Sequence, residues 1–60
     1  MNIYQRNGFR NRKEYLLSLA DFYNLDIYIV YAIAETLGSN EDFDGLITML
    51  EDIEEEGYLF

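Results

Sequence analysis

The chain has 60 residues and contains no cysteine, no histidine and no proline. Without cysteine and histidine, disulfide bonds, zinc sites and iron–sulfur sites are excluded. The reactive groups that remain are carboxylates, tyrosines and hydroxyls, and none of them is spaced as a nucleophile and its base. A chain of this length also rarely encloses a pocket that excludes water. We therefore expect a protein that is not an enzyme and that uses no cofactor.

Long apolar runs are absent as well. The longest is "IYIVYAIA", Ile27 to Ala34, which is much shorter than the roughly 20 residues of a membrane-spanning helix. The first residues, "MNIYQRNGFRNRK", lack the apolar core of a signal peptide. Half of the residues are hydrophobic and 17% are aromatic, which favours a folded domain over a disordered chain. We expect a single domain in the cytoplasm.

Positive charge is scarce and confined to one part of the sequence. The four basic residues lie between Arg6 and Lys13, whereas all 12 acidic residues lie from Glu14 onward, and the net charge is −8. Such a body repels nucleic-acid phosphates and anionic membranes. It suits a basic protein surface, so we expect a basic protein partner, one that itself binds nucleic acid, and no direct contact with nucleic acid or membrane.

Apolar residues recur at the helical spacing i, i+3, i+4, i+7 in three segments. They are Leu16, Leu19, Ala20 and Tyr23; then Val30, Ile33, Ala34 and Leu37; then Phe43, Leu46, Ile47, Leu50 and Ile53. Asn11, with Glu14 three residues on, and Asp26 are expected N-caps, while Asn24 suits a left-handed helix exit. The pattern predicts an all-α fold, a small three-helix bundle over residues 11–60 that follows a basic N-terminal arm, residues 1–10.

The segment "LADFYNLDIYIVYAIAETLG", Leu19 to Gly38, resembles a helix-turn-helix. Its second helix, Ile27 to Leu37, contains no Arg, Lys, Asn or Gln. Base reading and phosphate contacts need those side chains, so the segment predicts protein contact rather than DNA binding.

The stretch "NEDFDGLITMLE", residues 40–51, has the spacing of an EF-hand calcium loop, with Gly45 at its sixth position. Its ligands would be Asn40, Asp42, Asp44, Thr48 and Glu51. Phe43 is poorly suited to the left-handed fourth position of such a loop, and it also begins an apolar helical stripe. We therefore predict one continuous helix over residues 40–53, capped by Ser39 or Asn40, and keep divalent-cation binding as the alternative.

Two groups of side chains are candidate partner-binding residues. The acids are Glu35, Glu41, Asp42, Asp44, Glu51, Asp52, Glu54, Glu55 and Glu56. Tyr28 and Tyr31 lie off the apolar stripe of the second helix and are the expected aromatic anchors. Tyr58 and Phe60 either complete the core or belong to this surface, and the sequence favours neither interpretation over the other. Two alternatives remain: the "EDIEEE" run, residues 51–56, only keeps the chain solvated, or the tyrosine face forms a structural homodimer.

The run from Arg12 to Glu55 resembles the small, acidic, uncharacterised proteins of bacteriophages and other mobile elements, through "RKEYL", "LADFY" and "LGSNEDFDGL". That class includes anti-CRISPR inhibitors, which occupy nucleic-acid or partner surfaces. The resemblance implies an inhibitor or modulator of a basic, nucleic-acid-binding host protein, acting in the host cytoplasm. It carries over no functional residues.

Overall fold

All regular structure among the described residues is helical, as predicted. The computed structural model describes residues 2–56 of the chain, with side chains to residue 55. The helices are α1 (Ile3–Arg6), α2 (Arg12–Phe22), α3 (Ile27–Leu37) and α4 (Gly45–Glu56), and a 3₁₀ turn (Ser39–Glu41) precedes α4. Within this part of the chain, no helix is long and apolar enough to cross a bilayer. The predicted tail residues Tyr58 and Phe60 lie outside the described residues.

The predicted helix ends are confirmed at α2 and α3. The Asn11 side chain accepts a hydrogen bond from the backbone N–H of Glu14 at 2.9 Å, and Asp26 accepts from Tyr28 at 2.8 Å. Asn24 has φ 56°, the left-handed conformation that lets the chain leave α2 within a short turn. The Glu14 carboxylate does not complete a capping box. It accepts instead from the backbone N–H and the Nε of Arg10, both at 2.9 Å.

Three long-range hydrogen bonds show how the helices are oriented relative to one another. Arg12, at the start of α2, binds Asp42 just before α4, and the Tyr23 hydroxyl at the end of α2 donates to Glu51 at 3.3 Å. Helices α2 and α4 are therefore parallel. The Arg12 guanidinium also donates to the carbonyl of Ala34, near the end of α3, at 3.3 Å, so α3 is antiparallel to both. The α2–α3 turn and the C-terminal half of α4 consequently share one end of the bundle.

The hydrophobic core lies between α2, α3 and α4. Its buried apolar members are Tyr15, Leu16, Leu19, Ala20, Tyr23, Val30, Ala34, Leu46 and Leu50. Eight of these nine belong to the three predicted stripes, so the helical spacing located the core. Tyr15 is the exception, and its ring lies 4.3 Å from that of Phe43, with the two planes 17° apart.

The prediction of one helix over residues 40–53 is wrong for its first residues. Helix α4 begins at Gly45, and neither Ser39 nor Asn40 caps it; the Glu41 carboxylate accepts from the backbone N–H of Gly45 at 3.2 Å. Phe43 lies in the turn rather than on the helix, and 36% of it is exposed. Stacking of this ring on Tyr15 and burial of Asp42 hold the turn against α2, which removes residues 42–44 from the helix.

A one-turn helix within the N-terminal arm was not predicted. The Asn2 side chain accepts from the backbone N–H of Gln5, and the Gln5 side chain accepts from that of Asn2, a reciprocal capping box. This turn places the Tyr4 ring 5.8 Å from Tyr15 and 5.7 Å from Phe43. Phe9 packs on Tyr15 as well, at 5.1 Å. The arm therefore covers the aromatic side of the core.

Candidate protein-binding surface

Asp42, a predicted surface acid, is completely buried. Its carboxylate accepts from Arg12 Nε at 2.6 Å and Nη2 at 3.0 Å, and from the Tyr4 hydroxyl at 2.6 Å. Its backbone carbonyl accepts from the Tyr15 hydroxyl at 2.6 Å. The first three donors satisfy the buried charge, and together with the Tyr15 hydroxyl they join the arm, α2 and the α3–α4 connection. The prediction that Asp42 belongs to an exposed binding surface is therefore wrong.

The same network argues against the calcium loop. Both Asp42 oxygens are held by Arg12, whose positive charge also opposes a cation at this position. Thr48 and Glu51 lie on helix α4, whereas an EF-hand needs residues 40–51 to wrap around the ion as a loop. Among the described residues, no three acidic side chains are grouped so as to hold a metal ion. The residues present do not fit the cation site that was kept as the alternative.

Burial and the Asp42 charge change the proton affinity of the two tyrosines in this network. The pKa of Tyr15 is raised to about 12, first because the phenol is buried and second because a phenolate would face the Asp42 carboxylate. The pKa of Tyr4 is raised by burial and by its hydrogen bond to Asp42. The pKa of Arg12 is raised chiefly by its hydrogen bonds to Asp42. The network therefore requires protonated tyrosines.

This raised pKa predicts a loss of stability in alkali. Unfolded tyrosine ionises near pH 10, whereas folded Tyr15 keeps its proton to about pH 12, so the unfolded state binds fewer protons in this interval. The contribution is fully present below pH 10 and falls as pH rises to 12, by about 3 kcal/mol at most. Urea unfolding at a series of pH values measures it.

Two tyrosine variants separate this cause from general alkaline denaturation. Tyr15→Phe cannot ionise at this position and is expected to reduce the decline between pH 10 and 12, while Tyr4 and Tyr23, whose pKa values are also raised, contribute the remainder. Tyr28→Phe removes a phenol from a residue that is 77% exposed, and it is expected to keep the full decline. Equal pH dependence in the two variants would contradict the assignment to Tyr15.

The other predicted acids divide between the two ends of the bundle. Near the basic arm, Glu35 lies 3.6 Å from Arg12 Nη1, Glu41 is half-buried against the start of α4, and Asp44 is exposed. At the opposite end Glu51, Asp52, Glu54 and Glu55 are exposed on α4. The backbone of Glu56 continues the helix, and its side chain lies outside the described part of the structure. The bundle therefore separates the predicted acids into two groups.

The second group has neighbours that the sequence analysis did not select. Asp21 and Asp26 are exposed at the α2–α3 turn, which shares this end of the bundle with the C-terminal half of α4. We call Asp21, Asp26, Glu51, Asp52, Glu54 and Glu55 the acidic pole. All lysines and arginines lie between Arg6 and Lys13, and in the described structure none of them forms an ion pair with these six carboxylates.

Two aromatic rings are exposed at the acidic pole. Tyr28, a predicted anchor, and Phe22, which was missed, are each 77% exposed, and they flank the α2–α3 turn on either side. Phe22 contacts Tyr23 edge-on at 4.9 Å, and this contact leaves most of the ring in water. Phe22 lies outside the apolar stripe of α2, which consists of Leu16, Leu19, Ala20 and Tyr23. This position in the sequence could have identified it as an exposed ring. Tyr31, the other predicted anchor, is half-buried against the core.

No protein-family model, no curated protein and no solved structure matches this chain. The resemblance to phage proteins and the helix-turn-helix resemblance therefore stay predictions.

Proposed function

We propose that this protein is a non-enzymatic protein-binding module whose acidic pole contacts a basic surface of a partner protein. The observation that carries the proposal is the pair of rings, Phe22 and Tyr28, each 77% exposed among carboxylates that form no ion pair with a lysine or arginine in the part of the chain that the structure describes. Removing a large apolar side chain from water yields about 1.5–3 kcal/mol, so two exposed rings are a source of binding free energy. Tyr28 retains the role of anchor predicted for it.

The chemistry of the pole specifies the partner's surface. Carboxylates form bidentate hydrogen bonds with arginine, and an aromatic face attracts the same guanidinium through a cation–π contact. A partner rich in arginine and lysine satisfies both kinds of group. The uncompensated negative charge also steers such a partner over long distances, which accelerates association and makes it sensitive to salt.

A capture experiment with matched variants tests the proposal. The immobilised chain is expected to capture basic proteins from a bacterial lysate at low ionic strength and to release them near 1 M salt, where the Debye length is about 3 Å. The double variant Phe22→Ala, Tyr28→Ala is expected to bind the captured proteins about tenfold more weakly or worse, as for other aromatic anchors.

Leu17→Ala is the control, because Leu17 is 44% exposed on the same helix as Phe22 but belongs to a cleft with Arg10 and Lys13 at the basic end. It is expected to capture as the unmodified chain does. Failure to capture at low salt, or equal loss in the control and the double variant, would refute the proposal.

A narrower form of the proposal is that the protein is a phage-derived inhibitor or modulator of anti-CRISPR type, which acts on a basic nucleic-acid-binding host protein. Its support is the phage resemblance together with a pole of six carboxylates that imitates the charge of a phosphate backbone. A captured protein is then expected to lose its nucleic acid when the chain is added. Capture of basic proteins without displacement of nucleic acid would leave only the broader proposal.

A further inference from the structure

A shallow apolar groove runs between α3 and α4. Its walls are Ala32, Ile33, Thr36, Leu37 and Met49, which enclose a surface cavity of about 260 Å³. Met49 is 42% exposed there, and Ala32 and Thr36 are exposed too. Small-molecule sites usually enclose about 300–1,000 Å³. This groove is smaller and open, so it suits one protruding side chain of a larger partner better than a metabolite.

The groove leads towards the acidic pole. Tyr28 lies one helical turn before Ala32 on the same face of α3, and Asp52 lies one turn after Met49 on the same face of α4. Because α3 and α4 are antiparallel, both positions lie on the pole side of the cavity. The groove and the pole therefore form one continuous strip. It is apolar at Met49 and carries an exposed ring at Tyr28 and a carboxylate at Asp52.

The negative charge of this strip determines which kind of partner it can bind. From Ile27 to Glu56 the chain has no lysine or arginine, so both helices that form the groove are purely anionic. A second copy of the chain, docked by the same groove, would place carboxylates against carboxylates, and like charges in an interface are costly. A cationic segment from a different protein meets complementary charge instead.

We propose that the α3–α4 groove receives a basic amphipathic helix of the partner protein. A groove between two antiparallel helices accommodates a third helix whose apolar residues recur at i, i+3 or i+4, and i+7. An apolar side chain of that helix would enter the cavity beside Met49, while lysine or arginine residues one or two turns away would reach Asp52 and the acidic pole. This inference rests on the proposed function and adds the partner's secondary structure and docking site.

Two synthetic peptides of identical composition test the inference. Both contain leucine, alanine, lysine and arginine in about 14 residues, roughly 21 Å as a helix. One places its leucines on a single helical face, and the other is permuted so that no apolar face forms. The amphipathic peptide is expected to bind about tenfold more tightly, to become helical on binding and to shift the backbone NMR signals of Ala32 and Met49.

Two matched substitutions locate the peptide. Ala32→Arg places bulk and positive charge in the groove and is expected to abolish the preference for the amphipathic peptide. Leu17→Arg makes the same change in charge at a position that is 44% exposed on α2, outside the groove, and is expected to keep the preference. Both positions are exposed, so both variants should stay helical, which circular dichroism checks.

The outcomes separate this inference from the broader proposal. Equal binding of the two peptides, or equal effects of the two substitutions, overturns the helix-in-groove inference. If the capture of basic proteins then still depends on Phe22 and Tyr28, the proposed function stands without it. A dimer in sedimentation whose formation is blocked by Ala32→Arg also overturns the inference, since the groove would then be covered by a second copy.

Discussion

The variant Asp42→Ala is expected to lose about 3 kcal/mol of unfolding free energy. Removing one partner of a buried ion pair costs about 3–5 kcal/mol, because the other charge stays in place without compensation. Arg12 keeps 28% of its side chain in water, which favours the lower end of that range. A domain of this size has roughly 3–9 kcal/mol in total, so the variant is expected to be largely unfolded well below the denaturant midpoint of the unmodified chain. Urea titration followed by circular dichroism measures the difference.

Asp44→Ala is the matched control, two residues away in the same turn. Asp44 is exposed and its side chain makes no ion pair within the described structure, so we expect a change of no more than about 0.5 kcal/mol. Asp42→Asn retains an acceptor for Tyr4 and is expected to lose less than Asp42→Ala, which keeps the test informative if the alanine variant does not fold. Similar stabilities of Asp42→Ala and Asp44→Ala would contradict the structural role assigned to Asp42.

Local rules were sufficient for the parts of the fold that depend on neighbouring residues. The caps at Asn11 and Asp26 bind backbone N–H groups two or three residues away, and the left-handed Asn24 serves the turn in which it lies. The stripes identify the core because a helix must bury one face whatever its partner is. These features needed no knowledge of which helix packs against which.

The start of α4 was mispredicted because a long-range interaction determines it. Residues 40–44 have the acids and the cap candidates of a first helical turn, but Arg12, thirty residues away in sequence, binds Asp42. The sequence contains one feature that predicts such a long-range ion pair. Arg12 lies at i−4 from Leu16 and i−7 from Leu19, so it extends the buried stripe of α2 at the first residue of the helix, and a cation at such a position requires a buried acid. Which acid it binds follows only from the packing.

The sequence predicted that the surface is acidic, but it predicted only partly where the acidic residues lie. The α4 carboxylates from Glu51 to Glu55 are exposed as expected, whereas Asp42 is buried and Glu35 lies near Arg12. The parallel directions of α2 and α4 bring Asp21, Asp26 and Phe22 to the same end as the α4 acids, and no local pattern encodes that direction. For this reason the sequence indicated an anionic surface but could not locate it.

The variant Leu50→Ala is expected to lose about 3 kcal/mol of unfolding free energy. The Leu50 side chain is fully buried in the core shared by α2, α3 and α4. Truncating a buried leucine loses its transfer free energy and leaves a cavity, which together cost about 2–5 kcal/mol. Helix α4 has no side chain in its last turn that favours the helix dipole, and its C-terminal acids oppose it. We therefore attribute its stability to packing through residues such as Leu50.

Met49→Ala is the control for this packing argument, because Met49 precedes Leu50 directly on α4 but faces the open groove with 42% of its surface exposed. We expect it to cost less than about 1 kcal/mol, since much of the removed side chain is already in contact with water. Losses of equal size in the two variants would mean that α4 is not oriented with Leu50 inward. If they differ as expected, Met49→Ala remains folded, and any effect of that variant on peptide binding reports on the groove rather than on the stability of the bundle.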